Sequence, residues 1–233
     1  MGLIVRQLRT VAVLLALLSM MDAESIAAPR RDSGRMKTIL VLGDSLSDGF
    51  MLPRSQAYPA LVAERLRKEG MDFEVINASQ SGGTSSGGVA RITTHLKRKI
   101  DILVVQLGIN DAFLAVPVTQ IRSNLQAIIT RTRERYPDCE VVIAGMQLPI
   151  ETQDGYVREF GEMYQQLADK NNAALVPYLL AGVGGNPALN LPDRIHPNAA
   201  GQKILADNVW RALEPVARRV ANDTRAAATS RVP

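Results

Sequence analysis

Five short, mainly apolar runs, at 37–42, 73–76, 102–107, 141–145 and 174–177, alternate along the chain with longer stretches of helical spacing. No other feature limits the fold so tightly. A continuous run of four to six apolar residues suits a strand buried on both faces, whereas a half-exposed strand alternates apolar with polar. The intervening stretches predict helices at 55–70, near 89–99, from Pro117 onward, at 155–170 and at 197–220. In the third of these, Ile121, Leu125, Ile128 and Ile129 fall at i, i+4, i+7 and i+8, the stripe of a helix facing a core. Parallel neighbours need a crossover long enough to hold a helix, so strands alternating with helices give a parallel sheet covered on both faces. The expectation is an α/β protein, a three-layer α/β/α sandwich. No internal repeat and no second domain boundary interrupts the pattern.

In open α/β sheets, ligands bind beyond the carboxyl ends of the strands, so the residues just past each run are where chemistry is sought. The first run, in "TILVLGDSLSDGF", ends in Gly43, Asp44, Ser45, Ser47 and Asp48. "NASQSGGTSSGG" (77–88) succeeds the second run, and Gly108-Ile109-Asn110-Asp111 succeeds the third. "PDRIHPN" (192–198) precedes the last helix. Acyl transfer needs a nucleophile, a base, a group orienting the base, and donors for a developing oxyanion. These four loops hold one of each.

His196 is the candidate base. Asp193 stands three residues before it, close enough in a turn to accept from one ring nitrogen and leave the other for a serine proton. The plainer alternative is a capping pair ahead of a helix with Pro197 in its first turn. His95, within "RITTHLKRK", fits a solvated helix surface. Two serines compete as nucleophile. Gly83-Thr84-Ser85-Ser86-Gly87 matches G-x-S-x-G, a pattern that requires its serine on a sharp turn straight off a strand. Ser85 is too far from the end of the second run for that, whereas Ser45 comes directly after its run, with Gly43 permitting the turn. The same Gly/Ser loop lacks the G-x-x-x-x-G-K-[ST] of a phosphate cradle.

The four blocks, Gly43-Asp44-Ser45-Leu46, the Gly82 loop, Gly108-x-Asn110-Asp111 and Asp193-x-x-His196-Pro197, stand in the order seen in GDSL, or SGNH, hydrolases. From about Lys37 to Leu213 the chain resembles that family, and "NASQSGGTSSGG" and "DRIHPNAAGQ" are similar to its bacterial thioesterase I, lysophospholipase and arylesterase group. The resemblance implies a flavodoxin-like five-stranded parallel sheet and hydrolysis of a small-molecule ester or thioester. Ser45 would be the nucleophile, His196 the base and Asp193 its orienting acid. The backbone N–H groups of Ser45 and Gly82 and the side-chain amide of Asn110 would form the oxyanion hole, and Asp44 would be structural. No metal or cofactor is implied. Two alternatives stand beside it: a carbohydrate O-deacetylase using the same site, and a non-catalytic binding module.

The N-terminus differs in kind. Arg6 and Arg9 precede an apolar run from Val11 to Met21, too short to span a bilayer, and Ser25-Ile26-Ala27 offers a small-x-small cleavage site. The expected organisation is a signal peptide at 1–27, a flexible tether at 28–36, the hydrolase domain at 37–220 and a tail at 221–233. That places the mature protein in the periplasm or outside the cell, with no stable membrane insertion after processing. Cys139 is the only cysteine, so an exported chain has no internal disulfide and its core must carry its stability. With two histidines and one cysteine, no metal-ligand cluster is expected. The net charge is +4, but the cations are scattered through helices. Five Tyr, four Phe and one Trp do not interleave with them, so no nucleic-acid footprint is expected.

Overall fold

The computed structural model describes residues 35–148 and 155–229. The expected signal peptide, most of the expected tether and residues 230–233 lie outside the described residues. Strands β1 (Lys37–Gly43), β2 (Phe73–Asn77), β3 (Ile102–Gln106), β4 (Glu140–Ala144) and β5 (Ala174–Val176) form one parallel sheet. Its order is β2-β1-β3-β4-β5, the flavodoxin-like arrangement. Ile39 lies opposite Val75 on one side and Ile102 on the other, and Gly43 lies opposite Gln106. Ile39, Leu40, Val41 and Leu42 are all buried, as are Ile102 to Val105, because helices cover both faces.

The helices are α1 (Ser45–Asp48), α2 (Tyr58–Lys68), α3 (Ser85–His95), α4 (Ile109–Phe113), α5 (Val118–Arg135), α6 (Gly155–Asn171) and α7 (Ala199–Thr229). The crossover β1-α2-β2 travels one way along the sheet, and the later crossovers through α3, α5 and α6 travel the other way. Right-handed connections therefore put α2 on one face and α3, α5 and α6 on the other. The packing agrees: α2 lies against α7, α3 against α5, and α5 against α6. The stripe of Ile121, Leu125, Ile128 and Ile129 is buried as its spacing predicts.

Three differences from the sequence reading have physical causes. Helix α3 starts at Ser85, ahead of the expected 89, because the Thr84 hydroxyl accepts the Gly87 N–H at 3.2 Å and caps the helix across the Gly87-Gly88 pair. The two short helices α1 and α4 fill stretches read as loops. Helix α7 continues past Val220 to Thr229, with Pro215 inside it. A mid-helix proline costs roughly 3 kcal/mol. Leu205, Val209, Trp210, Leu213, Val216, Ala217 and Val220 bury one stripe on both sides of Pro215, and that burial outweighs the missing hydrogen bond.

Candidate active site

The site lies where the strand order reverses, between the carboxyl ends of β1 and β3. Gly43 ends β1 against the side chains of Ser47 and Gln106. A Cβ there would press on Ser47 and stand 2.8 Å from Gln106 Oε1, so only glycine lets the chain turn at this point. Asp44 comes next in extended conformation, and its carboxylate accepts the Leu46 N–H at 2.9 Å, capping α1. This puts Ser45 at the first position of a helix, where the backbone N–H has no intrahelical acceptor.

The Ser45 hydroxyl lies 3.0 Å from His196 Nε2, and His196 Nδ1 lies 2.8 Å from Asp193 Oδ2. With Nδ1–H donated to the carboxylate, Nε2 is left to accept from the hydroxyl. The loop shape makes this contact possible. Arg194 takes a left-handed φ of 60°, Arg194 N–H donates to Leu191 O at 2.8 Å, and Leu191 N–H donates to His196 O at 2.7 Å. Asp193 Oδ1 accepts the N–H groups of His196 (3.0 Å) and Ile195 (2.9 Å). The His196 N–H, its imidazole and the Ile195 N–H hold the Asp193 carboxyl down at about 2.

The β2 loop brings in the next group. Gly83 N–H donates to Gln80 O at 2.9 Å, closing a turn whose third residue, Gly82, has φ +74°. A type II turn demands a glycine there. The turn is fastened to α1: Asp48 Oδ2 accepts from Ser81 Oγ at 2.8 Å and from Ser81 N at 3.3 Å. Asn77 Nδ2 donates to Ser47 O at 2.8 Å. From the β3 loop, Asn110 Nδ2 donates one hydrogen to Gly83 O at 2.9 Å and keeps its second. The structure thus brings together all five expected site residues, Ser45, Asp193, His196, Gly82 and Asn110, on loops that are hydrogen-bonded to one another or meet through His196.

The competing serine has other work. Ser85 is fully buried, and its hydroxyl donates to Asp111 Oδ1 at 2.6 Å while accepting from Asn124 Nδ2 at 2.9 Å. Its N–H donates to Asp111 Oδ2 at 2.7 Å, so Ser85 and Asp111 tie the β2 and β3 loops from below.

Sequence reasoning missed three supporting groups. The Phe50 ring lies 4.3 Å from the His196 ring and covers it. Gln202 of α7 accepts the Tyr58 N–H at 2.8 Å and donates to Leu46 O at 3.1 Å, joining α7 to α1. Gln106, read only as the end of an apolar run, donates to Asp44 Oδ2 at 3.0 Å and accepts from the Ser47 hydroxyl at 2.6 Å. Burial raises the Asp44 carboxyl from 3.8 to about 7, although the Leu46 N–H and Gln106 favour its charged form. Phe50 and Gln202 lie within the quoted motifs, but nothing in their spacing marks a contact partner.

A switch-point site on a sheet of this order, with a serine, an imidazole and a carboxylate in line, defines an acyl hydrolase. The chain belongs to the GDSL-like lipase/acylhydrolase family, whose profile matches residues 41–204. It is 39% identical to Esterase TesA of Pseudomonas aeruginosa over 181 residues, 77% of this chain and 89% of that protein. It is 32% identical to Thioesterase 1/protease 1/lysophospholipase L1 of Escherichia coli K12 over 180 residues, 77% of this chain and 84% of that protein. The crystal structure of TesA superposes with a TM-score of 0.73 at 39% identity, covering 77% of this chain and 99% of that one.

Proposed function

We propose that this protein is an exported serine hydrolase that cleaves esters or thioesters of lipophilic acyl groups through an acyl-enzyme on Ser45. The observation that carries the reading is the unbroken line from Asp193 through His196 to the Ser45 hydroxyl, with both links at hydrogen-bond distance. His196 Nε2 takes the Ser45 proton as Oγ attacks the substrate carbonyl. The oxygen that becomes negative is received by the N–H groups of Ser45 and Gly82 and the free amide hydrogen of Asn110. His196 returns its proton to the departing alcohol or thiol. Water then loses a proton to His196 and attacks the acyl-Ser45 ester, the acyl–Oγ bond breaks to release the acid, and His196 returns the proton to Ser45 Oγ. Asp193 stays ionised throughout and holds the ring.

The rim points to the substrate class. Among the described residues, the exposed large apolar side chains are Met36, Met51, Phe113, Leu114 and Ile195. All but Met36 are close in sequence to residues of the site: Met51 follows Phe50, Phe113 and Leu114 end α4 after Asn110, and Ile195 adjoins His196. Exposed apolar side chains next to the site residues favour an aliphatic or aromatic acyl ester over a sugar ester. The names of the relatives, an esterase and a thioesterase/lysophospholipase, agree with that preference.

Fluorophosphonate labelling, with turnover of p-nitrophenyl esters and acyl-thioesters of graded chain length, tests the proposal. The protein should label and favour medium or long acyl chains, and Ser45→Ala should do neither. A protein that leaves every ester and thioester intact would sink the reading. Export rests on Arg6, Arg9 and the apolar run after them. Intact-mass measurement from the native host should find the first 27 or so residues removed, and a full-length cytoplasmic protein would refute it.

A further inference from the structure

We infer that Arg91 is a positioning residue for the oxyanion hole, because its guanidinium ties the strand end before Ser45 to the turn that carries Gly82. The inference rests on the proposed roles of those two N–H groups. Arg91 lies on α3 and reaches back under the site. Its Nη2 donates to Gly43 O at 3.1 Å, and its Nη1 donates to Gln80 Oε1 at 3.4 Å. Gly43 O also accepts the Gln80 N–H at 3.1 Å, so one carbonyl receives both the turn and the cation that braces it.

The guanidinium lies close against the loop. A Cβ on Gly83 would stand 3.1 Å from Nη2, and one on Gly87 would stand 3.3 Å from Nη1. Arg91 thus shares the crowding at these two glycines with the Gln80 carbonyl, 2.8 Å from such a Cβ on Gly83, and with the Thr84 hydroxyl, 3.3 Å from one on Gly87. The Nε of the same side chain is buried and has no partner among the described residues. What the placement achieves is span: a planar fork reaches two acceptors at fixed separation, which a lysine ammonium does not. The Ser45 N–H and the Gly82 N–H must converge on one oxygen. Arg91 holds the carbonyl of Gly43, two residues before Ser45, and the side chain of Gln80, two residues before Gly82.

The test compares Arg91→Met and Arg91→Lys with the parent, each normalised by active-site titration, on an oxygen ester and its thionoester. A thionoester puts a larger, weakly accepting sulfur where the oxyanion would form, so the oxo/thiono rate ratio reports the hole itself. Arg91→Met should lower kcat on the oxygen ester roughly 10- to 100-fold with KM within about twofold, as expected when donors are misplaced by a fraction of an ångström. The oxo/thiono ratio should fall by a similar factor, and Arg91→Lys should lie between. A near-parental kcat, or a kcat loss with an unchanged oxo/thiono ratio, overturns the inference. Should Arg91→Met fail to fold, Arg91→Lys carries the same test alone. Failure of the underlying reading looks different, because Ser45→Ala would then keep its labelling and turnover whatever Arg91 does.

Discussion

At the scale of single residues, two serines that compete in the sequence are separated by their partners. Ser45 faces an imidazole, and Ser85 is enclosed by Asp111 and Asn124. Ser45→Ala should therefore abolish labelling and turnover with little change in melting temperature. Ser85→Ala should keep labelling while losing about 1–3 kcal/mol of stability, because the Asp111 carboxylate and Asn124 amide lose a buried partner. Labelling assays and melting curves on both variants check this; a Ser85→Ala protein that is dead but folded would restore the G-x-S-x-G reading. In the proposed mechanism Asn110 has two jobs. One amide hydrogen fastens Gly83 O and the other is free for the substrate oxygen. Asn110→Ala should lower kcat on the order of 10²–10³-fold with KM little changed, since the ground-state carbonyl uses that donor weakly. Titrating active sites beside a melting curve separates this from the lost Gly83 bond, and near-normal turnover in a destabilised protein would remove Asn110 from the hole.

At the scale of elements, a close approach of α3 to the sheet decides how the β2 and β3 loops meet. Gly88 on α3 sits where a Cβ would be 2.5 Å from Leu107 Cδ1 and 3.0 Å from Ile128 Cδ1. Gly88→Ala should therefore cost about 1–3 kcal/mol of stability by overpacking, despite alanine's better helix propensity. Chemical denaturation checks the sign, and a stabilised variant would mean that the helix can shift without cost. The same region shows what was legible in the sequence. The central strands β1, β3 and β4 stood out because burial on both faces leaves nearly uninterrupted apolar runs, and the half-buried edge strands β2 and β5 stood out as short, mainly apolar segments between helices. The long helices stood out where a stripe such as Ile121–Leu125–Ile128–Ile129 repeats. Helices α1 and α4 did not, because elements this short have no period to detect. The Asp44 cap and the turn at Gly108, with φ +125°, create them. Ser45, Asp193 and His196 were legible because they sat in polar blocks set against an apolar run and a helix start, and Gly82 and Asn110 through the family resemblance of their blocks. Their supports, Phe50, Gln106, Gln202 and Arg91, were not, because each acts through a partner distant in sequence.

At the scale of the whole molecule, the buried Asp44 couples folding to pH. Its neighbours come from several elements: Gln106 of β3 and the Leu46 N–H of α1 bind it, Asp111 of α4 opposes its charge and Arg91 of α3 favours it. Burial dominates, so its carboxyl titrates near 7 in the folded protein against an ordinary 3.8. Below pH 3.8 the group is protonated in both states and has no effect. Between about 4 and 7 the unfolded chain has released a proton that the folded protein retains, so folding stability falls as pH rises. Above about 7 both forms are ionised and the loss is complete, about 4 kcal/mol at roughly 1.36 kcal/mol per pH unit. Asp193 has the opposite sense. Its carboxyl is held at about 2, so it adds stability above about pH 4 that is lost as pH falls through 2. Asp44→Asn keeps an oxygen for the Leu46 N–H and removes the buried titration. Denaturation measured from about pH 4 to 7.5 should show the parent losing about 4 kcal/mol more than Asp44→Asn across that window. The remaining groups titrate alike in both proteins and cancel in the difference. Superimposable profiles would mean that Asp44 is ionised in the fold at ordinary pH, its charge compensated by Arg91 and the Leu46 and Gln106 donors.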